Sequence, residues 1–117
     1  MTSKKFYYDE MKELLKKYFE YFSNKDLEKL SKMFSEEIVL QDWNILEKGK
    51  ANVIGANQKI FDSVETISIN LNELYIDHNV ATCILEIVIN NKDTRKVIDI
   101  IKIDARGKIK EISAYKQ

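Results

Sequence analysis

The sequence has no proline, and its 117 residues include one cysteine, one histidine, one tryptophan and three glycines. Without proline, no strand is barred from pairing along both of its edges. The single cysteine, Cys83, cannot form an internal disulfide, which excludes a disulfide-stapled secreted domain. It lies in an apolar run with no basic group beside it, so we expect a buried, structural thiol. One histidine and one cysteine do not make a zinc site, and we predict no metal.

The chain also lacks a net charge, because 19 lysines and arginines balance 19 aspartates and glutamates. The charges are interspersed, so we expect neither nucleic acid nor a membrane as a partner. The N-terminal residues have no signal-peptide core, no run is long enough to span a bilayer, and we predict a cytoplasmic protein. No phosphate-binding loop or dinucleotide fingerprint is present, so we expect no cofactor. The length predicts one domain over residues 1–117.

Apolar residues at helical spacing predict three helices. The first runs from Tyr7 to Phe22 and the second from about Lys25 to Phe34. Ser23-Asn24 lies between them and is predicted to cap the start of the second helix. The third helix runs from about Ala51 to Val64, after a turn at Gly49.

The remaining apolar runs predict strands. A short strand at Ile38-Val39-Leu40 ends at Gln41-Asp42-Trp43, and a polar connection from Asn44 to Gly49 follows it. Four further strands are predicted at Glu65 to Tyr75, Val80 to Ile89, Arg95 to Asp104 and Lys108 to Tyr115. This order predicts an α+β, cone-shaped fold in which three N-terminal helices pack on a curved antiparallel β-sheet, α-α-β-α-β-β-β-β.

The strand from Arg95 to Asp104 is apolar on both faces. One face carries Asp99 among three apolar side chains, and the other carries Ile98 and Ile100. A charge among apolar neighbours is costly, so Asp99 must be paired, protonated or in a wet pocket. If helices cover one face only, the other needs a partner, and we predict a homodimer built sheet against sheet. The turn at Asn90 to Asp93 leaves two registers open, which place Glu86 on opposite faces.

Several short segments stand at characteristic places in this order of elements. They are Tyr18-Phe19, Asn24 to Leu27, Met33 to Glu37, Leu40-Gln41-Asp42, Gly49, Asp99 with Ile103-Asp104, and Gly107-Lys108-Ile109. In them the chain, from about Tyr7 to Tyr115, resembles the nuclear transport factor two-like superfamily, with its SnoaL-like and ketosteroid isomerase branches. The resemblance implies a pocket between the helices and the sheet. The superfamily includes enzymes, binding modules and proteins with no known activity.

The ketosteroid isomerase branch uses three polar groups, and the resemblance supplies a matching residue for each. Tyr18 matches the tyrosine that donates to the oxyanion, and Asp42 matches the general base. Asp99 matches the second oxyanion donor, an acid that is held protonated. Proton abstraction next to a carbonyl needs a carboxylate base, and the resulting enolate needs donors aimed at its oxygen. An aspartate in an apolar cavity has its pKa raised enough to be such a donor.

Two positions depart from that branch, and both are predicted to bind the ligand. Trp43 replaces a proline after the base, and Asn57 replaces a further tyrosine on the third helix. Each assignment has a structural alternative. Tyr18 lies on an apolar helix face and fits a core tyrosine equally. Asp42 fits a solvated turn residue or cap, and Trp43 is either a pocket wall, which we favour, or a core plug.

Two functions from different classes follow from these features. The first is a dimeric pocket protein of the SnoaL-like type that binds a small hydrophobic or carbonyl-containing ligand. If it is an enzyme, we expect cofactor-independent proton transfer beside a carbonyl, as in an isomerase, cyclase or dehydratase. The second is a non-catalytic interaction or accessory module in which the pocket is closed and the dimer surface carries the function. Fluorescence of Trp43 distinguishes the two, because only an accessible pocket lets small ligands change it.

Overall fold

The structure, a computed structural model, describes residues 4–117. Its first half contains the three helices and two strands: α1 (Lys4–Ser23), α2 (Leu27–Met33), β1 (Phe34–Gln41), β2 (Leu46–Lys48) and α3 (Lys50–Ser63). Four more strands follow: β3 (Ile67–Asp77), β4 (Val80–Ile89), β5 (Asp93–Ile103) and β6 (Ile109–Lys116). None of the helices in this described part is long and apolar enough to cross a membrane.

The six strands form one curved, unclosed sheet in the order β2-β1-β6-β5-β4-β3. The predicted α+β architecture, with three helices on a curved sheet, is confirmed. The sheet is mixed rather than purely antiparallel, because β1 pairs with β6 in parallel. In the chain, α3 and four other strands lie between β1 and β6, so no local pattern in the sequence reports the direction of their pairing.

β2 was not expected, because its residues lie in the stretch predicted to be a polar connection. Leu46, Glu47 and Lys48 pair antiparallel with the end of β1. The strand lies at the edge of the sheet, and Leu46 and Lys48 are exposed. An exposed edge strand of three residues has no alternation of buried and exposed apolar side chains, which is the pattern that identifies strands in sequence.

The predicted N-cap of α2, at Ser23-Asn24, is wrong by two to three residues. Asp26 is the capping residue, and its Oδ1 accepts a hydrogen bond of 3.1 Å from the backbone N–H of Lys29. Ser23 instead joins α1 to the sheet. Its hydroxyl donates to the carbonyl of Phe19 at 2.8 Å and accepts from the N–H of Ile69 at 3.0 Å.

The helices cover one face of the sheet, which we call the concave face. α1 packs against β3 and α3 against β1, so the central strands β5 and β6 lie between the two long helices. On β5 the concave face carries the four buried residues expected there: Val97, Asp99, Ile101 and Ile103. The uncovered convex face carries Ile98 and Ile100, which are half-buried.

The register left open at the β4–β5 turn is now defined. Glu86 pairs with Asn70 on one side and with Lys96 on the other. Glu86 is two residues from Ile84 along β4 and therefore shares its face, and Ile84 pairs with Ile98, which lies on the convex face. Glu86 therefore lies on the convex face.

Candidate functional site

Asp99 lies near the middle of β5, on the concave face. Its neighbours across the sheet are Cys83 on β4 and Ala114 on β6. The residue is only 9% exposed, and no ion pair or side-chain hydrogen bond with another described residue reaches its carboxyl group. Burial, and secondarily the charge of Asp42, raises the pKa of Asp99 to about 7. Asp99 is therefore largely protonated just below neutral pH.

Tyr18 lies on the buried face of α1. Its ring packs against three phenylalanine rings at centroid distances of 5.1, 6.1 and 6.2 Å, those of Phe19, Phe22 and Phe34. Burial raises the pKa of the Tyr18 phenol well above its usual value, and the nearby charge of Asp99 raises it further. The ring is thus part of the core, and the hydroxyl keeps its proton near Asp99.

Asp42 follows β1 directly and begins the tight turn to β2. Its Oδ1 accepts hydrogen bonds from the backbone N–H groups of Asn44 at 2.7 Å and Ile45 at 2.8 Å. These bonds form an Asx turn, so Asp42 is indeed a turn residue. The side chain is half-buried, and its charge acts on Asp99. One carboxylate oxygen holds the turn, while Oδ2 forms no hydrogen bond within the described part of the chain.

Trp43 does not plug the core, because 42% of it is exposed. Its indole lies beneath the ammonium group of Lys116, whose Nζ is 5.3 Å from the ring centroid. The two residues border an open groove of about 370 Å³, whose lining also includes Gln41, Asp42, Ser113, Ala114 and Tyr115. Two of these lining residues are related to Asp99: Ala114 pairs with it across the sheet, and the charge of Asp42 acts on it.

Asn57 lies on the buried face of α3 and is 3% exposed. Its Nδ2 has no hydrogen-bond partner among the residues that the structure describes. One turn further along the helix, Phe61 packs edge-on against Phe22 of α1, with 4.8 Å between the ring centroids. Phe22 in turn contacts Tyr18. Asn57 therefore faces the interior on the side of α3 that meets α1. A buried donor without an acceptor costs about 1–3 kcal/mol.

The structure places Asp99 within electrostatic reach of Tyr18 and of Asp42. Asn57 faces the same interior from α3, and Trp43 lies outside it, at the end of β1. A phenol, a carboxylic acid with a pKa near neutrality and a carboxylate together supply proton donors and a base.

Sequence reasoning missed two residues of this region. The predicted burial of Cys83 is confirmed, but its position beside Asp99 was not foreseen. Burial and the charge of Asp99 raise the pKa of the Cys83 thiol to about 12, so it stays protonated. Lys116 was missed because the last strand was predicted to end at Tyr115. Continuing the alternation from Ile112 would have placed Lys116 on the concave face.

Residues 11–100 match a family model described as the SnoaL-like domain. No curated protein matches the chain. Among solved structures, the epoxide hydrolase/cyclase-like enzyme SalBIII, of pyran ring formation in the polyether salinomycin, superposes with a TM-score of 0.81. The two chains are 17% identical, and the alignment covers 93% of this chain and 92% of the other.

Two further structures have the same fold. A candidate polyketide cyclase from Sinorhizobium meliloti has a TM-score of 0.79 and 16% identity, over 87% of this chain and 93% of its own. A candidate ketosteroid isomerase from Kribbella flavida has a TM-score of 0.75 and 14% identity, over 89% and 75%. At these identities the likeness shows the fold alone. The family match spans most of the chain and agrees with the resemblance seen in the sequence, and the chain belongs to the SnoaL-like family.

Proposed function

We propose that this protein binds a small carbonyl-containing molecule between α1, α3 and the concave face, and moves a proton at a carbon next to the carbonyl. Asp42 is the base in this proposal, and Tyr18 and Asp99 donate hydrogen bonds to the oxyanion that forms. The observation that carries the proposal is Asp99, a carboxyl group 9% exposed, without a cationic partner among the described residues and with a pKa of about 7.

Asp99 and Tyr18 fit the donor role because burial raises the pKa of each and favours its protonated form. A carboxylic acid whose pKa is raised by an apolar site donates a strong hydrogen bond to developing negative charge. The raised pKa of Tyr18 keeps its hydroxyl protonated over the whole physiological range. The two donors lie on opposite layers, Asp99 on β5 and Tyr18 on α1, and the charge of Asp99 acts on Tyr18, which supports a shared oxyanion between them.

Asp42 fits the base because its two oxygens have different tasks. Oδ1 is fixed by the backbone N–H groups of Asn44 and Ile45, which orients the carboxylate. Oδ2 is left to take a proton from a bound molecule. The residue is also half-buried and borders the open groove, so a ligand reaches it without displacing the core.

Asn57 and Trp43 are proposed to bind the ligand rather than to react with it. The unpaired amide of Asn57 offers a donor that the fold itself does not use. Trp43 forms a wall of the groove that leads to Asp42. Several proteins of the same fold carry names of cyclase or isomerase chemistry, which agrees with a proton-transfer site.

A second candidate is a non-catalytic module that acts through its convex face, and a specific observation favours an interface there. Tyr75 and Tyr115 are 58% and 57% exposed on this face. They flank Ile84, Ile98 and Ile100, which are only half-buried. We propose that a second copy covers this surface, as the sequence predicted, and that pocket function and dimerisation coexist in a cytoplasmic protein. Sedimentation equilibrium of the Ile98→Lys variant tests the dimer.

Hydrogen exchange at carbon tests the proposed chemistry without a known substrate. The protein is incubated in D₂O with a panel of cyclic ketones, and ¹H NMR follows the loss of the signals beside the carbonyl. We expect exchange that falls by about 10²–10⁴ in Asp42→Asn, as for loss of a general base. Tyr18→Phe should cost about 10²–10³, as for loss of an oxyanion donor.

Asp104→Asn is the matched control, because it also removes one aspartate charge, from the exposed turn between β5 and β6. Unchanged exchange in Asp42→Asn would show that Asp42 is not the base. If no ketone exchanges but the fluorescence of Trp43 responds to them, the pocket binds without catalysis. If neither signal appears, the closed-pocket module is the better description.

A further inference from the structure

We propose that Lys116 is a specificity determinant at the mouth of the site and selects ligands that carry a carboxylate at the end remote from their carbonyl. The inference rests on the proposed function, which places the carbonyl oxygen at Asp99 and Tyr18. It adds the chemical class of the ligand, a flat and otherwise neutral molecule with an anionic group at one end.

The register of β5 and β6 gives the position of Lys116. Ala114 pairs with Asp99, and Lys116 pairs with Val97, the next residue of β5 on the concave face. Residues two apart on a strand are about 7 Å apart along it. Lys116 therefore lies one pair further out than Asp99 on the same face, at the end of the sheet where β1 gives way to Asp42 and Trp43.

The distribution of charge decides which end of a ligand lies inside. Asp99 is buried and within electrostatic reach of Asp42, so a negative group placed near it meets both burial and repulsion by the charge of Asp42. The groove outside has one cationic side chain among its lining residues, that of Lys116. An anionic ligand is consequently oriented with its neutral carbonyl end inward and its carboxylate at the groove.

A contact with Trp43 restricts the position of the Lys116 ammonium. The ammonium lies 5.3 Å from the centre of the indole ring, a cation–π contact that restricts a long and flexible side chain at the mouth. Among the described residues Lys116 forms no ion pair, whereas Lys29, Lys32, Lys50 and Lys102 each do. The charge of Lys116 is thus held in place and available to a ligand.

The groove and its neighbours also limit the shape of the ligand. A volume of about 370 Å³ beside an exposed indole is enough for one ring with its substituent. The register puts roughly 7 Å between Asp99 and Lys116 along the strand. A carbonyl and a carboxylate on opposite sides of a six-membered ring match that spacing.

The test uses 4-acetylbenzoate and 4-acetylbenzamide, which differ only in charge at the end opposite the ketone. The indole N–H signal of Trp43, the single tryptophan of the chain, reports binding in ¹⁵N-labelled protein. We expect the benzoate to bind about three- to fivefold more tightly than the benzamide, as for an exposed ion pair. In about 1 M salt, where the Debye length is about 3 Å, the preference should disappear.

Lys116→Gln should remove the preference, because it lowers the affinity for the benzoate more than that for the benzamide. Lys110→Gln, an exposed lysine of the same strand outside the groove, should keep it. Equal binding of the two probes to the unaltered protein, or a preference that survives Lys116→Gln, overturns the role of Lys116 and leaves the pocket intact. If neither probe moves the Trp43 signal, both the pocket and this inference are wrong.

Discussion

Two regions of the molecule differ in whether their buried polar groups have hydrogen-bond partners. Where α1 and α3 end, the half-buried ammonium of Lys25 donates three hydrogen bonds, to the carbonyls of Phe61 at 2.9 Å, Val64 at 2.6 Å and Glu65 at 3.0 Å. In the interior, Asp99 on β5 and the amide nitrogen of Asn57 on α3 are more deeply buried and have no partner among the described residues.

The first region is built for stability. Lys25 has a φ of 55°, the left-handed conformation in which helices commonly end at glycine. The backbone N–H of Asp26 donates to the carbonyl of Tyr21, and that of Lys25 to the carbonyl of Phe22, which together close the end of α1. The side chain then reaches the carboxyl end of α3, where a cation complements the helix dipole. One residue thus satisfies the ends of two helices.

Two aspartates of the β5 region, Asp99 and Asp104, show the same contrast. Asp104 follows the strand, and its Oδ1 accepts hydrogen bonds from the N–H groups of Arg106 and Lys108, both at 2.9 Å. Chiefly through the bond from Lys108, the pKa of Asp104 is lowered, whereas burial raises that of Asp99. Lys25 and Asp104, which close a helix end and a turn, have hydrogen-bond partners within the protein. The unsatisfied groups are therefore the ones that we assign to a ligand.

The largest expected effect is that of Asp99→Asn. The folded-state pKa of Asp99 is about 7 and its usual value is 3.8, so the folded protein holds this proton more tightly than the unfolded chain. The resulting stability is fully present below about pH 4 and is lost as the pH rises to about 7. Asp99→Asn should have a higher free energy of unfolding than the unaltered protein, by roughly 2–4 kcal/mol at pH 8.

Urea denaturation at pH 5, 6.5 and 8 measures this difference, which should shrink as the pH falls toward 4. Asp104→Asn is the control with the opposite sign. The lowered pKa of Asp104 contributes stability above about pH 4, which is lost as the pH falls through the folded-state value. Asp104→Asn should therefore be less stable than the unaltered protein at neutral pH. A loss of stability at pH 8 in Asp99→Asn would show that the carboxylate has a partner.

The second prediction concerns the satisfied region. Lys25→Met keeps the apolar stem and removes the three hydrogen bonds, leaving the carbonyls at the end of α3 without their donor. We expect a loss of roughly 2 kcal/mol in the free energy of unfolding, since a bond to a charged group contributes about 1.5–3 kcal/mol. Amide exchange in the last turn of α3 should accelerate. Lys16→Met, on the exposed face of α1, should change stability by less than about 0.5 kcal/mol, and equal losses in both variants would contradict the role of Lys25.

The contrast also separates what the sequence predicts from what it does not. The burial of Asp99 follows from strict alternation along one strand, and β4 has the predicted bounds of Val80 and Ile89. Both are local patterns with a period of two residues. A site that joins Tyr18, Asp42 and Asp99 was predicted only through the resemblance to a known family, because no spacing rule joins a helix to two strands. It stays a prediction, and the structure places Asp99 within electrostatic reach of each of the other two.

The features that were missed depend on contacts between distant parts of the chain. Lys25 meets carbonyls 36 to 40 residues later, so its identity as a cap is invisible in the residues around it. The same holds for two features of the sheet. The parallel pairing of β1 with β6 and the formation of β2 both depend on the strands that pair with them, and not on the residues within them. The position of Lys116 near the site follows only from the register of β5 and β6, which places it one pair beyond Asp99.

The smallest expected effect is that of Asn57→Leu, which replaces the unpaired amide by an apolar side chain of similar size. Removing a buried donor that has no acceptor should raise the free energy of unfolding by about 1 kcal/mol. Asn52→Leu on the same helix is the control. It shares the gain in helix propensity but loses a satisfied bond of 2.9 Å to the carbonyl of Lys48.

Thermal or urea denaturation of both variants, with the titration of 4-acetylbenzoate, decides what Asn57 is for. A more stable Asn57→Leu that binds the probe less tightly shows that the amide is retained for the ligand at the expense of the fold. A less stable Asn57→Leu means that the amide has a structural partner, and Asn57 then belongs with Lys25 among the satisfied groups. Because Asn52→Leu should lose stability and leave binding unchanged, the two asparagines of α3 separate the role of a ligand-binding amide from that of a structural one.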